Sequence, residues 1–121
     1  LNYFAMNVRH QGLVIYELRV YHAAPGKLDD LNSRFQEMTI HKLKEHDIQL
    51  VGSWNPIVGP NNHDLTWLVA HESMEAFERN WSEFRSDQEW LKYRIGTDTP
   101  VRLVTNVTNT LMGPTTWSPL Q

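Results

Sequence analysis

The chain has 121 residues, the usual size of a single domain, and carries a net charge of −3. Its 11 Lys and Arg residues are scattered along the sequence, which excludes the clustered positive charge that nucleic-acid binding requires. Cysteine is absent, so disulfides, thiolate nucleophiles and sulfur-ligated metals are excluded, and no apolar run approaches the ~20 residues of a membrane span. These features predict a cytoplasmic protein without a membrane span.

The chain is predicted to form one domain over residues 13–121. Residues 1–12 precede the first regular pattern and are interpreted as an N-terminal extension, which an expression vector could have contributed. The first strand is predicted over residues 13–22, because its side chains alternate between two faces. We expect the helices to cover the face that carries Tyr16, Leu18 and Val20. The opposite face carries Ile15, Glu17, Arg19 and Tyr21.

An apolar stripe occurs twice, and the second copy follows the first at an offset of 46 residues. Its steps of three, four and three residues place the members on one face of a helix, which must be buried. The first helix is predicted to begin after the turn at residues 24–27 and to end near His46. The stripes consist of Leu28, Leu31, Phe35 and Met38, and of Met74, Phe77, Trp81 and Phe84.

Two further strands are predicted between these helices, over residues 48–54 and 65–71. Pro56 ends the earlier strand, because proline has no amide proton for a central ladder. The turn signal Gly59-Pro60-Asn61-Asn62 completes a hairpin loop that is long enough to carry a function.

The second half of the chain contains two predicted helix starts and one more strand. Ser73 is a suitable N-cap for the second helix, and the spacing of Ser86 and Glu89 indicates a capping box that starts a third. Alternation over residues 101–112 predicts the fourth strand. The tail, residues 113–121, is too apolar for a free end and is expected to pack at a defined place.

This order of elements predicts an α+β, ferredoxin-like βαββαβ protomer, in which the helices cover one face of a four-stranded sheet. The other face is expected to expose Ile15, Tyr21, Trp54 or Trp67. Since such an apolar patch is unfavourable in water, we expect a homodimer that forms through the open sheet faces.

Several short motifs occur in order between Val14 and Leu120. They are Val14-Ile15-Tyr16-Glu17-Leu18-Arg19-Val20-Tyr21, Pro25-Gly26-Lys27, Val51-Gly52-Ser53-Trp54, Gly59-Pro60-Asn61-Asn62, Asp87-Gln88-Glu89-Trp90 and Trp117-Ser118-Pro119-Leu120. In these motifs the chain resembles the NIPSNAP family, a branch of the dimeric α+β barrel superfamily. The resemblance implies a homodimer whose two sheets close a barrel. It fixes no reaction, because the superfamily includes monooxygenases, haem proteins and stress proteins.

The third strand departs from the pattern of the family. Members often carry histidine, tryptophan and tyrosine at alternate positions there, whereas this chain carries Trp67, Val69 and His71. The resemblance therefore implies a pocket with a different lining.

Three ionisable side chains are candidates for chemistry in the space between the two sheets. Arg19 is expected to bind the carboxylate or phenolate of a ligand, because a guanidinium binds planar anions through paired hydrogen bonds. Glu17 or His71 is expected to move a proton. The alternative is a structural Glu17–Arg19 ion pair and a histidine that only ends a strand.

Aromatic side chains are the second group of candidates. Tyr21 is expected to anchor a ligand together with Arg19, and Trp54 and Trp67 are expected to contact a flat molecule. The alternative is that these rings pack the core of the dimer, where aromatic residues are enriched.

Two functions follow from these candidates. The first is the binding of a small aromatic or hydrophobic molecule in the barrel, with monooxygenase-like or proton-transfer chemistry as a further possibility and with no cofactor or metal assigned. The second is a non-catalytic, dimeric protein-interaction module that meets its partner through a surface such as the loop of residues 56–63. A cavity lined by Arg19, Tyr21 and Trp67 would favour the first.

Overall fold

A computed structural model of the chain describes residues 14–121, so the predicted N-terminal extension lies outside the described residues. Within this range the chain forms a four-stranded antiparallel sheet with the order β2-β3-β1-β4, which confirms the predicted ferredoxin-like topology. The strands are β1 (Ile15–Ala23), β2 (Gln49–Trp54), β3 (Asp64–His71) and β4 (Val104–Met112).

Helices cover one face of this sheet. They are α1 (Leu28–Arg34), α2 (Ile40–Glu45), α3 (Met74–Arg85) and α4 (Gln88–Thr97), and a π-helical turn (Phe35–Thr39) joins α1 to α2. No helix in residues 14–121 is long and apolar enough to cross a membrane.

The helix starts follow from local chemistry, with one correction. Gly26 has a φ of 75°, a conformation that glycine adopts without strain, and it completes the turn that leads into α1. Ser73 accepts a hydrogen bond from the amide of Ala76, as predicted. The N-cap of α4 is Asp87, whose carboxylate accepts from the amide of Trp90, so the prediction of Ser86 was wrong. Serine and aspartate are both favoured N-cap residues, so the spacing alone could not decide between Ser86 and Asp87.

The predicted apolar stripes face the core: four members are fully buried, and Leu28, Met38 and Phe77 are partly buried and pack against it. Leu31, Phe35, Trp81 and Phe84 belong to the core between helices and sheet. Met74, the first member of the second stripe, is exposed instead, because it occupies the first turn of α3.

The helices cover the opposite face of β1 from the one predicted. Glu17, Arg19 and Tyr21 face the helices, and Tyr16 lies on the helix-free face in a small cluster with Ala70. Trp67, which was expected on the open face, lies in the helix-side core and is 1 % exposed. The prediction failed because it placed charged side chains away from the core, whereas here buried charges satisfy each other.

The C-terminal tail packs against the helix-free face, which confirms the expectation that it has a defined place. The hydroxyl of Tyr16 donates to the backbone oxygen of Gln121 at 2.8 Å, and Leu120 packs against the cluster around Tyr16 and Val14. Trp117 of the same tail remains 81 % exposed.

Candidate functional site

A cavity of about 180 Å³ lies between the helices and the sheet of a single protomer. Its inner part is aromatic, and the side chains that form it come from β1, β3, the π-helical turn, α3 and α4. They are Tyr21, Phe35, Trp67, Trp81, Phe84 and Trp90. The cavity therefore occupies the covered face of the sheet, not the space between two sheets.

The aromatic rings of the cavity contact one another edge to face. The ring centroid of Trp67 lies 4.9 Å from that of Phe35, 5.3 Å from that of Tyr21 and 6.3 Å from that of Trp81. Such contacts orient large, stiff side chains, so the shape of the cavity is set before any ligand enters.

The π-helical turn contributes to this shape. Phe35 and Thr39 lie four positions apart at its two ends, are both buried, and both line the cavity. Turns of this kind often occur at functional sites, because the extra residue changes which side chains face inward.

Arg19 lies against the aromatic rings of the cavity. Its guanidinium carbon is 4.6 Å from the ring centroid of Trp81, 5.1 Å from that of Trp67 and 5.5 Å from that of Tyr21. One terminal nitrogen donates to the hydroxyl of Tyr21 at 2.9 Å. Because Tyr21 lines the cavity, Arg19 fixes the position of a hydroxyl at the wall.

Glu17 holds Arg19 in place. Its fully buried carboxylate accepts hydrogen bonds from Arg19 at 2.6 Å, from Nε1 of Trp81 at 2.8 Å and from Nε2 of His71 at 2.7 Å. Burial raises the pKa of the Glu17 carboxyl, but the hydrogen bonds from His71 and Trp81 and the charge of Arg19 outweigh it and lower the pKa to about 2. Glu17 is therefore ionised at neutral pH.

The opposite side of the cavity forms its mouth and carries three arginines, of which Arg34 is buried, Arg94 is partly exposed and Arg102 is exposed. Arg34 donates to Asp98 at 2.5 Å, and Arg94 lies 3.5 Å from the other oxygen of the same carboxylate. Burial raises the pKa of Asp98, but the hydrogen bonds from Arg34 and from the amide of Leu103 lower it below its usual value. Arg102 also lines the mouth and is exposed.

Some buried polar atoms at the site have no hydrogen-bond partner among residues 14–121. They include Nε1 of Trp67, Nε of Arg19 and Nδ1 of His71. An unpaired buried donor costs free energy of about 1–3 kcal/mol. Of these three residues, Trp67 is the one that lines the cavity.

The family of the chain follows from comparison with known proteins. The NIPSNAP family model matches residues 16–119, which include β1 from its second residue, the other three strands and the segments that line the cavity. The chain belongs to the NIPSNAP family. No curated protein matches the sequence at a significant level.

Solved structures share the NIPSNAP fold of this chain. A NIPSNAP-like domain protein from Burkholderia xenovorans is 24% identical and superposes with a TM-score of 0.77, over 88% of this chain and 89% of that one. A NIPSNAP family protein of unknown function from Agrobacterium tumefaciens is also 24% identical, with a TM-score of 0.79 over 89% and 94% of the two chains. A second family member from that organism is 21% identical, with a TM-score of 0.79 over 89% and 99%.

In this NIPSNAP protein, most of the sequence-predicted site residues form one connected group. Glu17, Arg19, Tyr21, Trp67 and His71 are linked by hydrogen bonds or ring contacts on the helix side of the sheet. Tyr21 and Trp67 line the cavity, whereas Glu17, Arg19 and His71 lie behind its wall. The expectation that they face a space between two sheets was therefore wrong.

Trp54 does not belong to this group. It pairs with Thr66, which in turn pairs with Val20, and this places it on the helix-free face. Its indole is 53 % exposed and lies over Gly52, where an added Cβ would be 2.8 Å from the ring.

Other residues of the site were not predicted as site residues. Trp81 was assigned only to an apolar stripe, and Arg34 and Arg102 were counted only among the positive charges scattered along the sequence. For Trp81, the excess of tryptophan over the needs of a small core was the available signal, since an indole also carries a donor. For the arginines the sequence held no such signal, because they meet only in the folded chain.

Proposed function

We propose that this NIPSNAP protein binds a small aromatic molecule of about one ring in the cavity between its sheet and its helices. The observation that carries the proposal is a cavity of about 180 Å³ whose lining includes three tryptophans, Trp67, Trp81 and Trp90. A cavity of about 150 Å³ with an apolar lining is large enough for benzene. Aromatic walls and a few polar groups are typical of small-molecule sites.

The residues around the cavity have distinct roles in this proposal. Tyr21 and Trp67 contact the ligand, while Arg19 is a positioning residue that fixes the Tyr21 hydroxyl. Glu17 holds Arg19, and His71 in turn bonds to Glu17. Neither residue lines the cavity, so the geometry supports a positioning role for them rather than direct proton transfer. Monooxygenase-like or proton-transfer chemistry stays a prediction.

The proposal includes a homodimer that forms through the helix-free sheet faces, and a cytoplasmic location as the cysteine-free sequence predicts. The tail covers the Tyr16 end of that face, but Leu18 and Leu68 at its centre are only partly buried and Trp54 is half exposed. The edge strand β4 also exposes Met112, which pairs with Tyr16 on this face. A second copy would cover these apolar surfaces.

Intrinsic fluorescence offers a direct test of ligand binding. Of the five tryptophans, Trp67, Trp81 and Trp90 line the cavity, whereas Trp54 and Trp117 are exposed. In a Trp54→Phe/Trp117→Phe background all remaining indole signal comes from the cavity. Titration with phenol and with benzamide is expected to change this signal in a saturable way.

A cavity-filling variant provides the control for that titration. Val104→Phe adds a ring to the lining and is expected to weaken binding at least tenfold, whereas Val101→Phe, at an exposed position outside the lining, should leave it unchanged. No saturable response, or the same response in both valine variants, would contradict the proposal.

One observation favours the alternative function, a protein-interaction module. Ile57 and Val58, in the loop that the sequence singled out, are 98 % and 95 % exposed. Adjacent exposed branched side chains are unusual unless a partner covers them. This alternative predicts a protein complex that is lost in Ile57→Ser/Val58→Ser and kept in Val104→Phe, and the reverse result would exclude it.

A further inference from the structure

We infer that the ligand of the cavity is an anion, a single aromatic ring with a carboxylate group, and that Arg102 binds this carboxylate at the mouth. The inference rests on the proposed function, because it identifies the chemical class of the molecule that enters the same cavity. It is carried by the distribution of charge around the mouth and by the unequal polarity of the two ends of the cavity.

The mouth has an excess of positive charge. Arg34, Arg94 and Arg102 line it, and Asp98 is the one carboxylate among the lining residues that the structure describes. An aromatic cavity that needed only to bind a neutral ring would gain nothing from this arrangement, whereas clustered positive charge attracts and retains anions.

The Asp98 carboxylate already has hydrogen-bond and ion-pair partners within the protein. Asp98 accepts from Arg34 at 2.5 Å and from the amide of Leu103 at 3.1 Å, and it lies 3.5 Å from Arg94. Arg102, by contrast, has no ion pair or side-chain hydrogen bond among residues 14–121. Its guanidinium is therefore available to a ligand.

The two ends of the cavity determine the orientation of the ligand. Trp67 and Leu31 are 1 % exposed and lie at the closed end, whereas Arg102 and Val107 are exposed at the mouth. Burying a carboxylate among apolar rings is costly, so the ring enters first and the charged group remains at the mouth. The volume of the cavity limits the ligand to about one ring with a short substituent.

Benzoate and benzamide test this inference, because they have nearly the same shape and differ in charge. In the Trp54→Phe/Trp117→Phe background at pH 7 and low salt, we expect benzoate to bind about tenfold more tightly than benzamide. The preference should decrease as salt is added, since the mouth is exposed.

Two arginine variants locate the charged contact. Arg102→Gln should remove most of the preference for benzoate, because it weakens benzoate binding far more than benzamide binding. Arg85→Gln is the matched control, because Arg85 is an exposed arginine at the end of α3 that does not line the cavity. It should retain the full preference. Both positions are exposed, so neither variant is expected to disturb folding.

The outcomes separate this inference from the proposed function. If neither compound binds, the proposed function fails and the inference fails with it. If both bind equally, the cavity is a ligand site but the anionic class is wrong. If benzoate is preferred and Arg102→Gln keeps that preference, the carboxylate is not bound by Arg102, and this assignment is overturned.

Discussion

The replacement Glu17→Gln tests whether a buried carboxylate organises the wall of the cavity. Glutamine keeps the size of the side chain but removes its charge, and it leaves Arg19 largely buried without a counter-ion. Breaking a buried ion pair by removal of one partner costs about 3–5 kcal/mol. The pKa of Glu17 gives a similar magnitude, because lowering it from 4.5 to about 2 corresponds to about 3 kcal/mol.

The pH dependence of this loss has a defined sign. A carboxyl whose pKa is lowered by folding stabilises the native state fully above its unfolded value of 4.5 and loses that contribution as the pH falls toward about 2. The wild type should therefore lose about 2 kcal/mol through Glu17 between pH 7 and 3, and the variant should lose none through this position.

Urea unfolding followed by fluorescence measures both effects. At pH 7 we expect Glu17→Gln to be less stable than the wild type by about 3–5 kcal/mol, and we expect the gap to narrow by about 2 kcal/mol at pH 3. Glu83→Gln, on the exposed side of α3, is the control and should change stability by less than about 0.5 kcal/mol. A gap below about 1 kcal/mol at pH 7, or one that does not change with pH, would refute the reasoning.

Three further predictions concern other parts of the structure. Tyr21→Phe leaves a terminal nitrogen of Arg19 without its acceptor and should lower the free energy of unfolding by about 1–2 kcal/mol, measured by urea denaturation. Asp87→Asn keeps an N-cap acceptor and loses only the charge beside Lys42, whereas Asp87→Ala loses both. Asp87→Ala should therefore be less stable than Asp87→Asn by about 1 kcal/mol in thermal unfolding, and equal stabilities would contradict the role of Asp87 as N-cap. Leu18→Glu places a charge on the helix-free face and should convert a dimer to a monomer in sedimentation experiments, and an unchanged mass would argue against that interface.

The order of the secondary-structure elements was predictable because the spacing of apolar residues reflects which side chains are buried. The repeated stripe located both major helices, and alternation located β1 and β4, since a side chain that faces the core must recur at the period of its element. The sheet order then followed from the ferredoxin-like arrangement, and the NIPSNAP resemblance agreed with it.

Alternation alone could not predict which face of β1 meets the helices. Both faces of this strand contain aromatic or branched side chains, so the decision depended on where Glu17 and Arg19 go. That depends on partners far away in sequence, because Trp81 and His71 donate to Glu17 only when α3 and β3 pack beside β1.

The cavity itself could not be predicted either. It depends on the π-helical turn and on arginines that converge at the mouth from separate segments of the chain. Trp54 and Trp67 show the same limitation, since two similar residues on neighbouring strands face opposite sides of the sheet.

A crystal structure of the protein soaked with benzoate tests the central claim most directly. We predict electron density for one ring in contact with Trp67, Trp81 and Trp90, inside a single protomer, with the carboxylate beside Arg102. Benzoate found only against the helix-free face near Trp54, or an unchanged cavity at a saturating concentration, would contradict the account.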